Sequence, residues 1–96
     1  MAARERSVSD LENLGPGTAR LLREAGIETD RRLRAIGPVA AYCRLKHMAP
    51  RQITLVCLYA LQGALSDIHW NKIPAPQKEA LRGQVSAAFR DRAKGH

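Results

Sequence analysis

A chain of 96 residues makes one domain with a single, modest hydrophobic core. Its formal charge of +7 and pI near 10.3 favour polyanions (nucleic acid, an anionic membrane surface, acidic proteins), or serve solubility alone. The N-terminal MAARERSVSD lacks the apolar stretch of a signal peptide, and the apolar run around 55–61 is too short to span a bilayer, which sets aside membrane insertion and suggests a cytoplasmic protein.

Aromatic residues are confined to Tyr42, Tyr59, Trp70 and Phe89, so the core must come from Leu, Ile, Val and Ala. Leu and Ala favour helix, and no alternating β-branched run reads as a strand. The sequence therefore predicts an all-α domain, a compact bundle of five to six short helices over about 9–92, with 1–8 as a flexible lead and 93–96 as a frayed tail. The first helix is expected to start at Ser9, where Ser9 and Glu12 have capping-box spacing, and to stop at Gly15-Pro16-Gly17. A second runs over about 16–25. Pro16 suits its first position, Gly26 ends it in the left-handed conformation, and Ile27 follows as a hydrophobic plug. Thr29 caps a third helix over 30–36, closed by Gly37, and Pro38 opens a fourth over about 39–48. The stretch 52–68 is apolar nearly all round, the mark of a central buried helix, and Gly63 within it marks a close backbone approach. After a connection at 69–74, Leu81, Val85, Ala88 and Phe89 have the spacing of an amphipathic helix over about 76–92.

The sharpest local signal is Leu11 to Leu22, which resembles the helix-hairpin-helix motif: two short helices joined by a Gly-hydrophobic-Gly turn, then Pro-Lys-Thr-Ala-like residues. Here the turn is Asn13-Leu14-Gly15. Asparagine tolerates the left-handed region that the first position needs. Such a turn presents backbone N–H groups and a helix N-terminus to solvent, and both suit a phosphate oxygen. Asn13, Gly15, Gly17, Thr18 and Arg20 are thus candidate nucleic-acid contacts. Gly17 stands where the motif carries a lysine, so one phosphate-facing cation is missing, and a purely packing role for the hairpin is the competing reading.

Charge placement adds a second signal. From Arg31 to Ser66 there is no Asp or Glu, while Arg31, Arg32, Arg34, Arg44, Lys46 and Arg51 fall in that stretch. If the third and fourth helices lie side by side, Arg31, Arg32, Arg34, Arg44, Lys46 and Arg51, with His47, form one basic field; otherwise they are separate solvated positions. With few aromatics for base stacking, any nucleic-acid contact would be to the backbone and indifferent to sequence.

His69, Trp70 and Asn71 form a candidate partner-binding corner, against the plainer reading that the tryptophan closes the core. Cys43 and Cys57 lack metal or disulfide spacing and read as buried thiols. The histidines are scattered, so neither a metal site nor catalysis is expected, and no cofactor.

Taken in order, Asn13-Leu14-Gly15-Pro16, Ala25-Gly26-Ile27, Leu33-Arg34-Ala35-Ile36-Gly37, Ala41-Tyr42-Cys43-Arg44-Leu45-Lys46, Leu58-Tyr59-Ala60-Leu61-Gln62-Gly63-Ala64-Leu65 and His69-Trp70-Asn71 resemble the C-terminal domain of the TfoX/Sxy proteins, bacterial regulators of competence. The resemblance covers Leu11 to Leu81. It implies a helical domain with a helix-hairpin-helix-like core and a non-enzymatic part in transcriptional or competence regulation. Full-length members also carry an N-terminal α/β domain, so the chain corresponds to the C-terminal part alone. The sequence thus leads to a regulatory module meeting a protein partner, with weak sequence-nonspecific DNA binding as the alternative and a homodimer as a further possibility.

Overall fold

Prolines, glycines and small caps set the helix boundaries. In the computed structural model, which describes residues 6–11 and 13–94, the α-helices are α1 (Pro16–Glu24), α2 (Asp30–Ile36), α3 (Pro38–Met48), α4 (Leu55–Ser66) and α5 (Ala75–Lys94). Single 3-10 turns lie at Val8–Asp10 and Trp70–Lys72, and no strand is present among the described residues. Pro16 and Pro38 each occupy a first helical position, where a missing N–H leaves no bond unmade. Gly26, at φ 85°, ends α1: its N–H bonds to the Arg23 carbonyl and that of Ile27 to the Leu22 carbonyl, and the Ile27 side chain is fully buried. Thr29 caps α2 through Oγ1, which accepts from the Arg32 N–H at 3.2 Å. Gly37, at φ 89° and ψ 158°, ends α2 and begins α3 in one residue, a conformation open in practice only to glycine.

α4 is the central helix, touching α2, α3, α5 and the second 3-10 turn, while α1 packs on α3 and on the first 3-10 turn. Leu22, Ile27, Leu33, Leu45, Leu58, Leu61 and Val8 are the largest fully buried side chains.

The chain departs from the sequence expectations at its two ends and around α4. The expected first helix is only the turn Val8–Asp10, with Ser7 as its cap: Ser7 Oγ accepts from the Ser9 N–H at 3.2 Å. Ser9 instead accepts from the Arg23 guanidinium, and Glu12 lies outside the described residues. The cause is a tether. Residues 6–8 run extended beside 28–30, with Val8 N–H on the Glu28 carbonyl (3.0 Å), Asp30 N–H on the Arg6 carbonyl (2.9 Å) and Arg6 N–H on Asp30 Oδ1 (3.0 Å). Residues 6–8 of the expected flexible lead are therefore held to the body of the domain, and residues 1–5 lie outside the described residues.

α4 starts at Leu55, not at residue 52, because Lys46 Nζ donates to the carbonyls of Pro50 (2.8 Å) and Ile53 (2.7 Å) and so stabilises a turn there. It ends at Ser66 with Asp67 left-handed at φ 57°, which lets the Ile68 N–H bond back to the Gly63 carbonyl. Its burial is incomplete: Leu55 and Val56 in its first turn are exposed. α5 begins one residue before the expected Pro76 and continues to Lys94, so residues 93 and 94 of the expected frayed tail are helical; 95–96 lie outside the described residues. Phe89, expected in the core, is exposed, while Leu81 and Val85 are buried as their spacing implies.

Candidate functional site

The hairpin is fixed by two segments distant in the chain, around Asn13 and around residues 63–70. Asn13 adopts φ 73°, as the turn requires, and Leu14 points into the core. The Asn13 side chain then reaches across the fold. Its Nδ2 donates to the Ile68 carbonyl at 2.8 Å and its Oδ1 accepts from the Trp70 N–H at 3.2 Å. One amide thus satisfies a donor and an acceptor on the connection between α4 and α5, and no buried side-chain polar atom among the described residues is left unpaired. Gly63 makes the approach possible: a Cβ there would sit 2.6 Å from Asn13 Nδ2 and 2.7 Å from the Ile68 carbonyl oxygen.

The second half of this corner is His69-Trp70-Asn71. Trp70 is half-buried and packs against the core. The Lys78 ammonium lies 5.5 Å from the centre of its ring and 5.3 Å from that of Tyr59, while Arg82 donates to the Tyr59 hydroxyl at 2.8 Å. These contacts draw α5 onto α4. His69 and Asn71 are exposed: Asn71 N–H donates to His69 Nδ1 at 3.3 Å, and the two side chains meet at 2.7 Å. The hairpin and the His-Trp-Asn segment, read from the sequence as separate features, are one structural corner.

The outer side of the hairpin is open. Gly15, Pro16 and Gly17 are exposed, a Cβ on either glycine would meet nothing within 4 Å, and α1 begins without a side-chain cap. Thr18 is half-buried, and Arg20 pairs with Glu24 at 3.1 Å along the helix.

Three of the candidate cations, Arg31, Arg32 and Arg44, lie around the end of α1. Arg31 and Arg32 line a cleft of about 510 Å³ together with Gly26, Glu28, Thr29 and Ala35. Arg32 Nε faces the Gly26 carbonyl at 3.4 Å and Arg44 Nη1 the Ala25 carbonyl at 3.5 Å, the negative end of the α1 dipole. α2 and α3 do lie side by side, so Arg31, Arg32 and Arg44 share a region. Lys46 is held over the turn before α4, and Arg51 in that turn is exposed. The ion pairs shown among the described residues join Arg6 to Asp30 and Asp67, and Arg20 to Glu24; none involves Arg32, Arg44, Lys46 or Arg51.

The family model described as the TfoX C-terminal domain matches residues 4–85. The chain belongs to the TfoX C-terminal domain family. It is 29% identical over 80 residues to the DNA transformation protein TfoX1 of Aliivibrio fischeri; the match takes in 83% of this chain and 38% of that protein. This TfoX C-terminal domain also resembles two crystal structures of Listeria monocytogenes proteins, one uncharacterized and one of unknown function. The first is 27% identical with a TM-score of 0.78, covering 88% of this chain and 94% of that one. The second is 30% identical with a TM-score of 0.74, covering 79% and 93%.

Within the TfoX domain the thiols are packed rather than poised. Cys43 is buried, and burial pushes the half-buried Cys57 up to about 11. Among the described residues no three His, Cys, Asp or Glu side chains gather as a metal site would require, and no helix is long and apolar enough to cross a membrane.

Proposed function

We propose that this chain is a regulatory binding module acting in the control of competence through contacts with a protein partner. Family membership and the relative named for DNA transformation support the regulatory process. The observation that carries the mode of action is the inward use of the hairpin. The Asn13 amide is spent on Ile68 and Trp70, and Gly17 offers no cation where a phosphate would approach. The chain spans 38% of the TfoX1 relative, so in a protein of that length the module would act beside other parts. Affinity capture of the tagged chain from its native cytoplasm tests this. A protein recovered in stoichiometric amount and lost on competition with untagged chain is expected; recovery of none would refute it.

One observation favours a second reading. The space over Gly15 and Gly17 is open, and exposed Arg31, Arg32 and Arg44 lie together around the end of α1. These groups suit a nucleic-acid backbone without regard to sequence. That reading predicts weak, steeply salt-dependent DNA binding, and a mobility-shift titration at low salt with no complex removes it.

A further inference from the structure

We infer that the surface across the end of α3, where a hollow holding Arg44 and Met48 adjoins one holding Phe89 at His47, is the docking site for an acidic amphipathic helix of a protein partner. Two adjoining hollows make it. One, of about 300 Å³, is lined by Ala25, Arg44, His47 and Met48; the other, of about 370 Å³, by Lys46, His47, Pro50 and Phe89. His47 is common to both. Met48 is 40% exposed and Phe89 42%, which puts one large apolar side chain in water at each hollow.

Charge complementarity selects the occupant. Arg44, Lys46 and His47 stand in a stretch of sequence without acids, and none of them has a carboxylate within ion-pair distance among the described side chains; Lys46 is held by the Pro50 and Ile53 carbonyls, which leaves Arg44 and His47 to face a partner. Of the acids shortly before α3, Glu24 is engaged by Arg20 and Asp30 by Arg6, while Glu28 lines the separate cleft with Arg31 and Arg32. α5 adds a further exposed cation, Arg90, next to Phe89. A nucleic-acid backbone would use the cations and leave Met48 and Phe89 wet. A helix with apolar anchors at i, i+4 and i+7 and glutamates on its flanks uses both. The inference rests on the protein-contact reading and gives it a place and a partner chemistry.

The probe is a synthetic peptide of about 16 residues, leucines at i, i+4 and i+7 and glutamates elsewhere, titrated into the isotope-labelled full chain and followed by amide NMR shifts. Saturable shifts at Arg44, His47, Met48 and Phe89, with Gly15 and Gly17 unmoved, are expected. Arg44→Glu and Phe89→Ser should each weaken binding about tenfold or more, and a peptide with lysines for glutamates should not bind. Both positions are exposed, so the variants keep the wild-type spectrum elsewhere; Met48→Ser replaces either one that does not. Four results overturn the inference: no saturable shift, shifts confined to the hairpin, a duplex DNA that displaces the peptide from the same residues, or self-association that covers them without peptide. A partner captured equally by wild type and Phe89→Ser would refute the docking site while leaving the protein-contact reading intact.

Discussion

Gly63 and Gly83 lie in adjacent helices with opposite surroundings. Alanine is the better helix former by about 1 kcal/mol, so propensity alone would favour alanine at both. A Cβ at Gly83 meets nothing within 4 Å, whereas at Gly63 it would press on Asn13 Nδ2 and the Ile68 backbone oxygen. Gly83→Ala should therefore stabilise the domain by about 0.5–1 kcal/mol. Gly63→Ala should destabilise it by about 2 kcal/mol, because one of the atoms in its way is backbone. Denaturant unfolding of both variants checks the pair; equal effects would mean that the corner is loose. That Gly63 marked a close approach was legible in the sequence, since a glycine inside an apolar helix has few other uses. Its partner was not legible: Asn13 lies 50 residues away, and a left-handed asparagine says nothing about where its amide points. Cys57 supplies a second test at this scale. With its thiol pushed up to about 11, its reaction with a thiol reagent should be slow at neutral pH and should still accelerate with pH beyond the ordinary value of 9.0. A plateau at that ordinary value would contradict the burial.

At the scale of elements, the glycine and proline boundaries of α1, α2 and α3 were legible because each boundary is a local conformational requirement. The N-terminal turn was not. Ser9 and Glu12 have the spacing of a cap, but residues 6–8 are pulled out straight by bonds to residues 28–30, a long-range pairing that no local rule contains. The start of α4 failed for a similar reason, since Lys46 holds the preceding turn from another helix. The tether also has a pH signature. The Arg6 backbone N–H, with help from its guanidinium, holds the Asp30 carboxyl below its ordinary value of 3.8, against the opposing effect of burial. A carboxyl with a lowered folded-state value contributes stability that is present above its unfolded value and lost as pH falls through the folded one. Unfolding measured from about pH 5 down to about pH 2.5 should show wild type losing more stability than Asp30→Asn. Parallel curves would mean that the tether does not hold in solution.

For the whole molecule, the decisive arrangement is the closure of the hairpin onto the connection between α4 and α5. It turns the Asn13 amide inward, while Gly15, Pro16 and Gly17, the basic surface and the apolar side chains of Met48, Leu55, Val56 and Phe89 face outward. The helical class and the family were legible because short ordered motifs recur along most of the chain. The candidate site was legible only as a list of cations. The grouping of Arg31, Arg32 and Arg44 around the carbonyl end of α1, and the nearness of Arg44 and Lys46 to apolar side chains on α3 and α5, depend on how the helices pack. The most direct test of the account is an anisotropy titration of the chain with a labelled DNA duplex at about 0.15 M salt, beside the triple variant Arg31→Glu, Arg32→Glu, Arg44→Glu. The account predicts no saturable complex for wild type at this salt. A saturable complex that persists at about 0.15 M salt and is lost in the triple variant would contradict it.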